Sequence, residues 1–292
     1  MVLKKGLVYD MENKSIRLRG RVIDFSEQLD YKLMNDYIDA LAERYLFLSV
    51  TSIGQTVLGR RIPMISIGRG KKTVLYVGAQ SGTEFQSAAV LLRFVNELCE
   101  YVANDGRFYN CSAAYMLATR TVIVIPMLNP DGVEYCLHGI DEDNPMYSKL
   151  VGMGIDLHSW NRNARGVSLY ENFGERFEET VCLEPETGAL RNYLMFNRDI
   201  RLAILLRMGN NRIVCSHERT TPPRLNSIGN GIARLSNCEY IRDDVKGTLC
   251  NFCAQELVIP AFEMLSTYSE SGSCFGDYLR QRSALFLAPT MI

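Results

Sequence analysis

Residues 73–84, Thr-Val-Leu-Tyr-Val-Gly-Ala-Gln-Ser-Gly-Thr-Glu, decide the fold class of this chain. The segment opens with an apolar run of the type found in strands that are buried on both faces of a sheet. A glycine-containing loop follows, and the apolar periodicity predicts an amphipathic helix over residues 85–101. A buried strand that leads through a short loop into a helix is typical of layered α/β proteins.

The same alternation continues on both sides of this segment. Apolar residues at helical spacing predict a helix around residues 33–45, and residues 46–53 and 62–67 predict an edge hairpin. Further strands are predicted at residues 122–126, 200–206, 212–215 and 259–264, and further helices from residue 184 and over residues 247–257 and 275–285. We therefore expect an α/β fold with a mixed sheet, whose ligand crevice lies beyond the carboxyl ends of the strands.

Composition excludes several classes of protein. Of 292 residues, 47% are hydrophobic and 22% are charged, which is typical of a globular protein with a large core. The 32 basic residues balance 33 acidic ones, so the net charge offers no reason to expect nucleic acid or a membrane as a partner. Without an apolar run of about 20 residues or a cleavable leader pattern, the expected location is cytoplasmic.

The chain shows no linker, repeat or low-complexity run, which favours a single α/β domain over residues 31–292 behind an N-terminal extension of residues 1–30. Within this extension, residues 15–24 alternate apolar and basic side chains and predict a half-exposed strand. The nine cysteines lie mostly in apolar segments. An odd number in such surroundings predicts small buried hydrophobic residues rather than a disulfide framework.

Five segments near the predicted strand ends carry recognisable motifs. They are Gly-Ala-Gln-Ser-Gly-Thr-Glu at 78–84, Pro-Met-Leu-Asn-Pro-Asp-Gly-Val-Glu at 126–134, Asn-Ala-Arg-Gly-Val-Ser-Leu-Tyr-Glu-Asn-Phe at 163–173, Glu-Pro-Glu-Thr at 184–187 and Ile-Pro-Ala-Phe at 259–262. In order and spacing they resemble the zinc carboxypeptidase A superfamily over about residues 31–265. The resemblance implies a mixed, mostly parallel eight-stranded twisted sheet with helices on both faces.

The resemblance fails at the metal ligands. Family members hold zinc with a His-x-x-Glu pair and a distant histidine, but this chain has Ser81 before the retained Glu84, and Arg207 at the second histidine position. A guanidinium has no lone pair to give a metal. At an effective dielectric constant of 20, its charge about 4 Å from a divalent cation is repulsive by roughly 8 kcal/mol. We therefore expect no bound zinc and no other cofactor.

The base and the substrate anchor are also altered. The resemblance places the catalytic glutamate at Leu265, which cannot accept a proton. It places Asn161, Arg162, Tyr170 and Glu171 at cleft or substrate-like positions, and the last two replace an Asn-Arg pair that grips a substrate carboxylate in the family. Glu171 in place of arginine would repel such a carboxylate. The metal, base and anchor are thus lost independently.

Displaced residues could in principle restore the site. His138, His158 and His217 stand at none of the family's ligand positions, and each is better explained as a lone structural histidine. Glu263 precedes Leu265 by two residues and shares its strand face. A displacement of roughly 6.6 Å along the strand is too large for a catalytic base, so we expect Glu263 to have a structural partner.

Two further motifs favour plain structural explanations. Cys250-Asn-Phe-Cys253 lies in a predicted helix without a second cysteine pair, so packing explains it better than redox chemistry or zinc. Gly68-Arg-Gly70, followed by two lysines, lacks the Gly-Lys-Ser/Thr ending of a phosphate loop and is typical of an exposed turn.

Three hypotheses about function follow. The first is an inactive member of the family, a pseudopeptidase whose remaining cleft binds a peptide or a protein partner. The second is an active metallopeptidase or amidase that cleaves peptides or cell-wall peptides through a rearranged site around Glu84, Glu263 and His217. The third is a structural or regulatory subunit that docks through an N-terminal arm, for which the simpler alternative is a solvated charged strand. The oligomeric state stays open.

The sharpest expectation concerns the vacated metal position. Glu84 would be a partly buried carboxylate without a partner, which is costly. Arg207 is expected at the neighbouring strand end, and its planar fork can meet a carboxylate. We therefore predict that the Arg207 guanidinium occupies the zinc position and pairs with Glu84, with Glu263 or Glu171 as the next candidate partner.

Overall fold

The protein is described by a computed structural model covering residues 8–10, 15–18, 21–24, 28–144, 146–152, 156–174, 182–216, 220–268 and 275–292. Its strands are β1 (Val8–Asp10), β2 (Ser15–Leu18), β3 (Arg21–Asp24), β4 (Leu48–Gln55), β5 (Arg61–Gly68), β6 (Lys72–Val77), β7 (Arg107–Phe108), β8 (Cys111–Ser112), β9 (Arg120–Ile125), β10 (Ile200–Met208), β11 (Arg212–Cys215), β12 (Glu239–Arg242) and β13 (Ala261–Ser266). Its helices are α1 (Tyr31–Arg44), α2 (Phe85–Ala103), α3 (Ala113–Thr119), α4 (Pro130–His138), α5 (Tyr147–Gly152), α6 (Pro185–Phe196), α7 (Leu225–Ser236), α8 (Leu249–Phe252) and α9 (Phe275–Leu287).

One mixed sheet of eight strands organises the fold, in the order β12-β11-β13-β10-β6-β9-β5-β4. The central strands β13, β10, β6 and β9 are parallel to one another. The β4–β5 hairpin closes one edge with antiparallel pairing, as the sequence predicted. This topology confirms the predicted α/β class with a mixed eight-stranded sheet.

Strand β6 shows how the sheet is buried from both sides. Val74 and Tyr76 point into one apolar cluster, which includes much of helix α2, and the Tyr76 ring lies 5.3 Å from that of Phe94. Leu75 and Val77 point into a second cluster, which includes residues of α6 and α8. Because side chains alternate along a strand, a continuous apolar run can fill both clusters at once. The predicted helices therefore cover both faces of the sheet.

The structure corrects the predicted N-terminal strand. Residues 15–24 form two strands rather than one, β2 and β3, which pair antiparallel with each other, and β1 pairs with β2. A period-two alternation is shared by both arms of a hairpin, so it does not reveal where one strand ends and the next begins.

Several elements were not predicted from the sequence. Helix α7 and strand β12 were missed, as were the short helices α3, α4 and α5. Apolar positions of α7 are separated by serine, glycine and asparagine residues, which weaken the helical signal. Predicted residues 247–257 form the short α8 followed by a π-helical turn (Cys253–Leu257). Within the described part of the chain, no helix combines the length and apolar character needed to cross a membrane.

Candidate functional site

The turn after strand β6 carries the first part of the site. The Ser81 amide donates a hydrogen bond to Glu84 Oε2 at 3.2 Å across a 3₁₀ turn. Gly82 is required in this turn, because a Cβ there would lie 2.3 Å from the carbonyl oxygen of Gly132 in α4. The close approach holds the Glu84 side chain, which is 4% exposed, at the carboxyl end of the sheet.

Strand β10 places Arg207 beside two carboxylates. The Arg207 Nε lies 3.4 Å from Glu84 Oε1, and its Nη1 lies 2.8 Å from Glu263 Oε2. The Met208 amide also donates to Glu84 Oε1, at 3.2 Å. The contact with Glu263 is the shorter of the two ion pairs, whereas the sequence had ranked Glu84 as the first partner.

The strand register accounts for the contact with Glu263. Strands β10 and β13 run parallel, with Leu205 opposite Glu263 and Arg207 opposite Leu265. Leu205 and Arg207 share one face of β10 because side chains alternate along a strand. Arg207 lies opposite Leu265, two residues beyond Glu263 on β13. Its long side chain can extend back along that face to Glu263, which a shorter side chain at the same position could not do.

Tyr170 completes the group, and its role here was not predicted. The Arg207 guanidinium carbon lies 3.8 Å from the centroid of the Tyr170 ring, a stacking distance for a cation on an aromatic face. Tyr170 also lowers the pKa of the nearby Glu263 carboxyl group. The resemblance treated Tyr170 only as a lost substrate anchor. We call Glu84, Tyr170, Arg207 and Glu263 the cleft cluster.

Burial sets the protonation of the cleft cluster. It raises the pKa of Glu84 and of Glu263 above the usual 4.5, and the Arg207 charge offsets that effect only in part. Burial disfavours the charged form of Arg207, but the two carboxylates outweigh it and raise the pKa of the guanidinium. Two carboxylates share one guanidinium, so the fully ionised cluster has a formal charge of −1.

A cleft of about 290 Å³ opens beside the cleft cluster. It is lined by Gln80, Ser81, Thr83, Glu84, Asn161, Ser168, Tyr170, Arg207 and Met208. Gln80 is 3% exposed, and its Nε2 donates to the Leu169 carbonyl at 2.9 Å. Its Oε1 has no hydrogen-bond partner among the described residues.

Two of the four predicted cleft positions belong to this lining. Asn161 and Tyr170 do, but Arg162 and Glu171 lie outside it, as does Leu265, the predicted position of the family's base. Arg162 is exposed and donates to the Gly166 carbonyl at 3.2 Å, and Glu171 is also exposed. The side chain of Leu265 instead covers the space above Gly209.

The donor set of the cleft does not fit zinc. Ser81 offers a neutral hydroxyl, and the Arg207 guanidinium has no lone pair to donate. Both carboxylate oxygens of Glu84 already accept hydrogen bonds from the protein. Zinc chemistry therefore has no support from the residues at this position.

One group of side chains elsewhere is close enough to share an ion. Among the described residues it consists of Asp30, Glu134 and His138, where α1 meets α4. Asp30 caps α1 through the Leu33 amide at 2.7 Å, and its other oxygen lies 3.1 Å from His138 Nε2. Glu134 accepts the Tyr31 amide at 2.9 Å. Helix capping and one hydrogen-bond contact between His138 and Asp30 explain these contacts without a metal.

The remaining candidates from the sequence have local roles or are not described. His158 Nδ1 lies 3.2 Å from the carbonyl oxygen of Cys136. His217 lies outside the described residues. Cys250 and Cys253 are buried, and burial raises the pKa of both thiols well above the usual range. They are therefore protonated near neutral pH, which fits packing better than thiolate chemistry.

The Asn-Pro-Asp-Gly motif has a structural role. Asn129 caps α4 through the Gly132 amide, and its Nδ2 donates to the carbonyl oxygens of Gln80 and Arg162 at 3.1 and 3.2 Å. Asn129 thus joins two loops of the cleft. The next acidic residue, Asp131, accepts the Leu58 amide at 2.9 Å and Arg60 Nη1 at 2.6 Å.

The motifs at residues 163–173 and 184–187 form a similar network. Asn163 Oδ1 accepts the amides of Arg165 and Val167, and its Nδ2 donates to Glu184 at 2.8 Å and to Glu186 at 3.4 Å. These bonds shape the loop that carries Ser168 and Tyr170. We call the buried members of both motif networks the loop scaffold: Asn129, Asp131, Asn163, Glu184 and Glu186.

Comparison with known sequences agrees with the motifs. The model of the zinc carboxypeptidase family matches residues 34–239. The gamma-D-glutamyl-L-diamino acid endopeptidase 1 of Lysinibacillus sphaericus is 28% identical over 180 residues, which cover 61% of this chain and 46% of that protein. An uncharacterized protein of Bacillus subtilis is 22% identical over 188 residues, which cover 63% of this chain and 50% of that protein. The match thus spans about half the length of these curated relatives.

Comparison with solved structures supports the same architecture. The carboxypeptidase A of Helicoverpa armigera superposes with a TM-score of 0.69 at 16% identity, over 94% of this chain and 75% of that one. The murein-tripeptide amidase of Escherichia coli O157 superposes with a TM-score of 0.51 at 17% identity, over 82% of this chain and 92% of that one. At such identities the likeness concerns the fold alone.

Proposed function

The chain belongs to the zinc carboxypeptidase family, and from that premise we propose that it is a catalytically inactive member whose cleft binds a ligand instead of hydrolysing it. The observation that carries this proposal is the position of Arg207 between Glu84 and Glu263, at 3.4 and 2.8 Å. The resemblance of the motifs puts Arg207 at the position of a zinc-binding histidine. Its guanidinium satisfies the retained carboxylate without a metal.

Displacing Arg207 to admit zinc would be costly. Its departure would leave two buried carboxylates without their shared cation, and a broken buried ion pair costs about 3–5 kcal/mol. The stacking on Tyr170 would be lost as well. If the guanidinium stayed, it would repel a divalent cation by several kcal/mol.

The loss of the base and of the anchor supports the same conclusion. Leu265 has no group that accepts a proton. Glu263, the nearby carboxylate, is 3% exposed and pairs with Arg207, so it is not free to activate a water molecule. The position of the family's anchoring arginine is held by Glu171, which would repel a terminal carboxylate. Each of these changes removes a different step of hydrolysis.

The rival function is an active peptidase or amidase with a rearranged site. The names of the endopeptidase and amidase relatives favour it. Such a site would need a free general base or a metal, and both Glu84 and Glu263 are engaged by Arg207. We therefore rank this rival second, with peptides or cell-wall peptides as its substrates.

Metal analysis and hydrolysis of one preparation separate the two proposals. The protein is purified without chelator, its zinc is measured by mass spectrometry, and it is incubated with C-terminally free peptides and with γ-D-glutamyl-diamino acid peptides. We expect far less than one zinc per chain and no cleavage above the buffer rate. Stoichiometric zinc together with cleavage that Glu84→Ala abolishes would overturn the proposal and establish the rival.

A further inference from the structure

The three most exposed large apolar side chains among the described residues all precede strands of the main sheet that run in one direction. Leu46 is 71% exposed and precedes β4, Tyr115 is 71% exposed on the helix that leads into β9, and Phe196 is 84% exposed and precedes β10. Strands β9 and β10 are both parallel to β6, and β4 shares their direction because β4 and β9 both pair antiparallel with β5. All three side chains therefore belong to one edge of the sheet, which we call the amino-end edge and which lies opposite the cleft.

Exposed basic residues lie at the same edge. Five of them are in the segments that lead into β6 and β10: Arg69, Lys71, Lys72, Arg198 and Arg201. The two strand starts are neighbours, since Thr73 pairs with Ile200 and the Thr73 amide donates to the Asp199 carbonyl at 2.9 Å. None of the five basic side chains forms an ion pair with a described residue. Their charge is therefore available to a partner.

The amino-end edge has an excess of positive charge. Residues 45–47, 69–72, 113–119 and 195–201 contain these five basic residues and a single acidic residue, Asp199. Their formal charge is +4, whereas the whole chain carries −1. The balanced composition of the chain thus conceals a local surface that attracts anions.

The apolar residues are spread along this edge rather than gathered in a pocket. Neighbouring strands lie about 4.8 Å apart, and four such spacings separate β4 from β10, which places Leu46 and Phe196 roughly 19 Å apart along the edge. Such a spread suits a flat, extended partner. A second copy of the chain fits poorly, because a two-fold contact would set the positive surface against itself.

We propose that the amino-end edge binds the surface of an anionic lipid bilayer, with its basic side chains at the headgroup phosphates and Phe196 inserted among the acyl chains. Basic residues next to exposed aromatic and aliphatic ones are typical of peripheral membrane contacts. A nucleic acid would also match the charge, but Leu46 has no aromatic face on which a base could stack. The inference is independent of the proposed function, because the cleft lies at the other edge of the sheet.

Flotation of the whole chain with vesicles tests the charge. The probes are vesicles of phosphatidylcholine alone and of an equimolar mixture with phosphatidylglycerol. We expect saturable binding to the mixed vesicles that weakens as salt is raised, and binding to phosphatidylcholine that is weaker by more than about tenfold.

Lysine variants locate the contact. Lys72→Gln should weaken binding to the mixed vesicles about fivefold, and the double variant with Lys71→Gln about twenty-five-fold. Lys32→Gln is the matched control, because it removes the same charge from an exposed position in the first turn of α1. That turn lies at the opposite edge, where the Tyr31 hydroxyl donates to the carbonyl oxygen of Arg61 at the start of β5. This control should bind like the unmodified chain.

A pair of tryptophan variants tests insertion. Phe196→Trp places an indole at the amino-end edge, and Leu58→Trp places one in the β4–β5 turn at the opposite edge. The chain's single tryptophan, Trp160, is buried and forms the same background in both. Mixed vesicles whose phosphatidylglycerol is brominated in the acyl chains should quench the added fluorescence of Phe196→Trp and leave that of Leu58→Trp unchanged.

Each alternative gives a different result. Equal binding to the two kinds of vesicle, equal affinities of Lys72→Gln and Lys32→Gln, or an unquenched Phe196→Trp would overturn the lipid contact. Tighter binding to an oligothymidylate than to mixed vesicles at equal phosphate concentration would assign the edge to nucleic acid instead. The vesicle series on the unmodified chain decides the charge requirement even if a variant fails to fold. Zinc content and hydrolysis do not enter these measurements, so the proposed function stands or falls separately.

Discussion

The loop scaffold and the cleft cluster both bury carboxylates, but they satisfy them differently. In the loop scaffold each carboxylate has a neutral donor, because Asp131 and Glu186 accept backbone amides at 2.9 and 3.2 Å and Asn163 donates to Glu184 at 2.8 Å. Those neutral donors come from distant loops. Asp131 and Glu184 each also pair with one arginine of their own. In the cleft cluster, two carboxylates, Glu84 and Glu263, share the single guanidinium of Arg207, and Glu84 also accepts the Ser81 and Met208 amides. The two regions thus differ in how many carboxylates depend on one arginine.

The difference separates two kinds of family motif. Motif residues that this chain retains, such as Asn129 and Asn163, hold loops in place and are needed whether or not the protein hydrolyses anything. At two positions where the resemblance places metal ligands, the Ser81 amide and the Arg207 guanidinium donate within the cleft cluster and not to the loop scaffold. The residues that hold the loops are therefore separate from those positions.

The largest effect is expected from restoring the lost residues on the intact loop scaffold. The triple variant Ser81→His, Arg207→His and Leu265→Glu should bind zinc with micromolar affinity, about 8 kcal/mol of binding free energy, measured by calorimetric titration. Hydrolysis should not return, because Tyr170 and Glu171 still occupy the positions of the substrate anchor.

The control for the triple variant keeps the arginine. Ser81→His with Leu265→Glu retains Arg207 beside the new ligands and should bind no zinc, because the guanidinium repels it. A triple variant that folds but takes up no zinc would show that the family alignment of these loops is mistaken.

The second effect concerns the two arginines. We expect Arg207→Met to lower the free energy of unfolding by about 4 kcal/mol, because Glu84 and Glu263 stay buried without a cation. Arg60→Met is the matched scaffold variant and should cost only about 2 kcal/mol, since Asp131 keeps the Leu58 amide and the first turn of α4. Urea denaturation measures both. Equal losses would contradict the distinction between the two regions.

The smallest effect is a dependence of stability on pH. Burial raises the pKa of Glu84 in the folded chain above its usual value of 4.5, so the folded state binds this proton more tightly than the unfolded state. The stability contribution of this carboxyl group is present below that usual value and is lost as pH rises through the raised pKa.

The variant Glu84→Gln tests this sign. In the unmodified chain, the free energy of unfolding should rise as pH falls from 7 to 5. In Glu84→Gln this rise should be smaller, because the carboxyl group is gone. Urea denaturation at each pH measures both. Glu263→Gln should act in the same direction, because burial also raises the pKa of Glu263. If the free energy of unfolding changed with pH in the same way in all three proteins, the raised pKa values of Glu84 and Glu263 would be contradicted.

Prediction from sequence succeeded where the signal is local. The apolar run of β6 and the amphipathic pattern of α2 carry their own periodicity, and both elements lie within a few residues of their predicted bounds. Helix α7 was missed because its glycine, serine and asparagine residues have low helix propensity, although its apolar residues keep helical spacing, and β12 was missed because it is short and only partly buried. Of the four predicted cleft positions, Arg162 and Glu171 are exposed and lie outside the lining, because a resemblance fixes a position along the chain and not the direction of a side chain.

The sequence by itself determined the α/β class and the family motifs, since each is a property of residue type and spacing. Only the tertiary structure decided that Glu263 is the nearer partner of Arg207 and that Tyr170 covers the guanidinium. Arg207 is separated by 123 residues from Glu84 and by 56 from Glu263. Such contacts depend on the register of β10 and β13 and on the loops held by the scaffold, which no local pattern encodes.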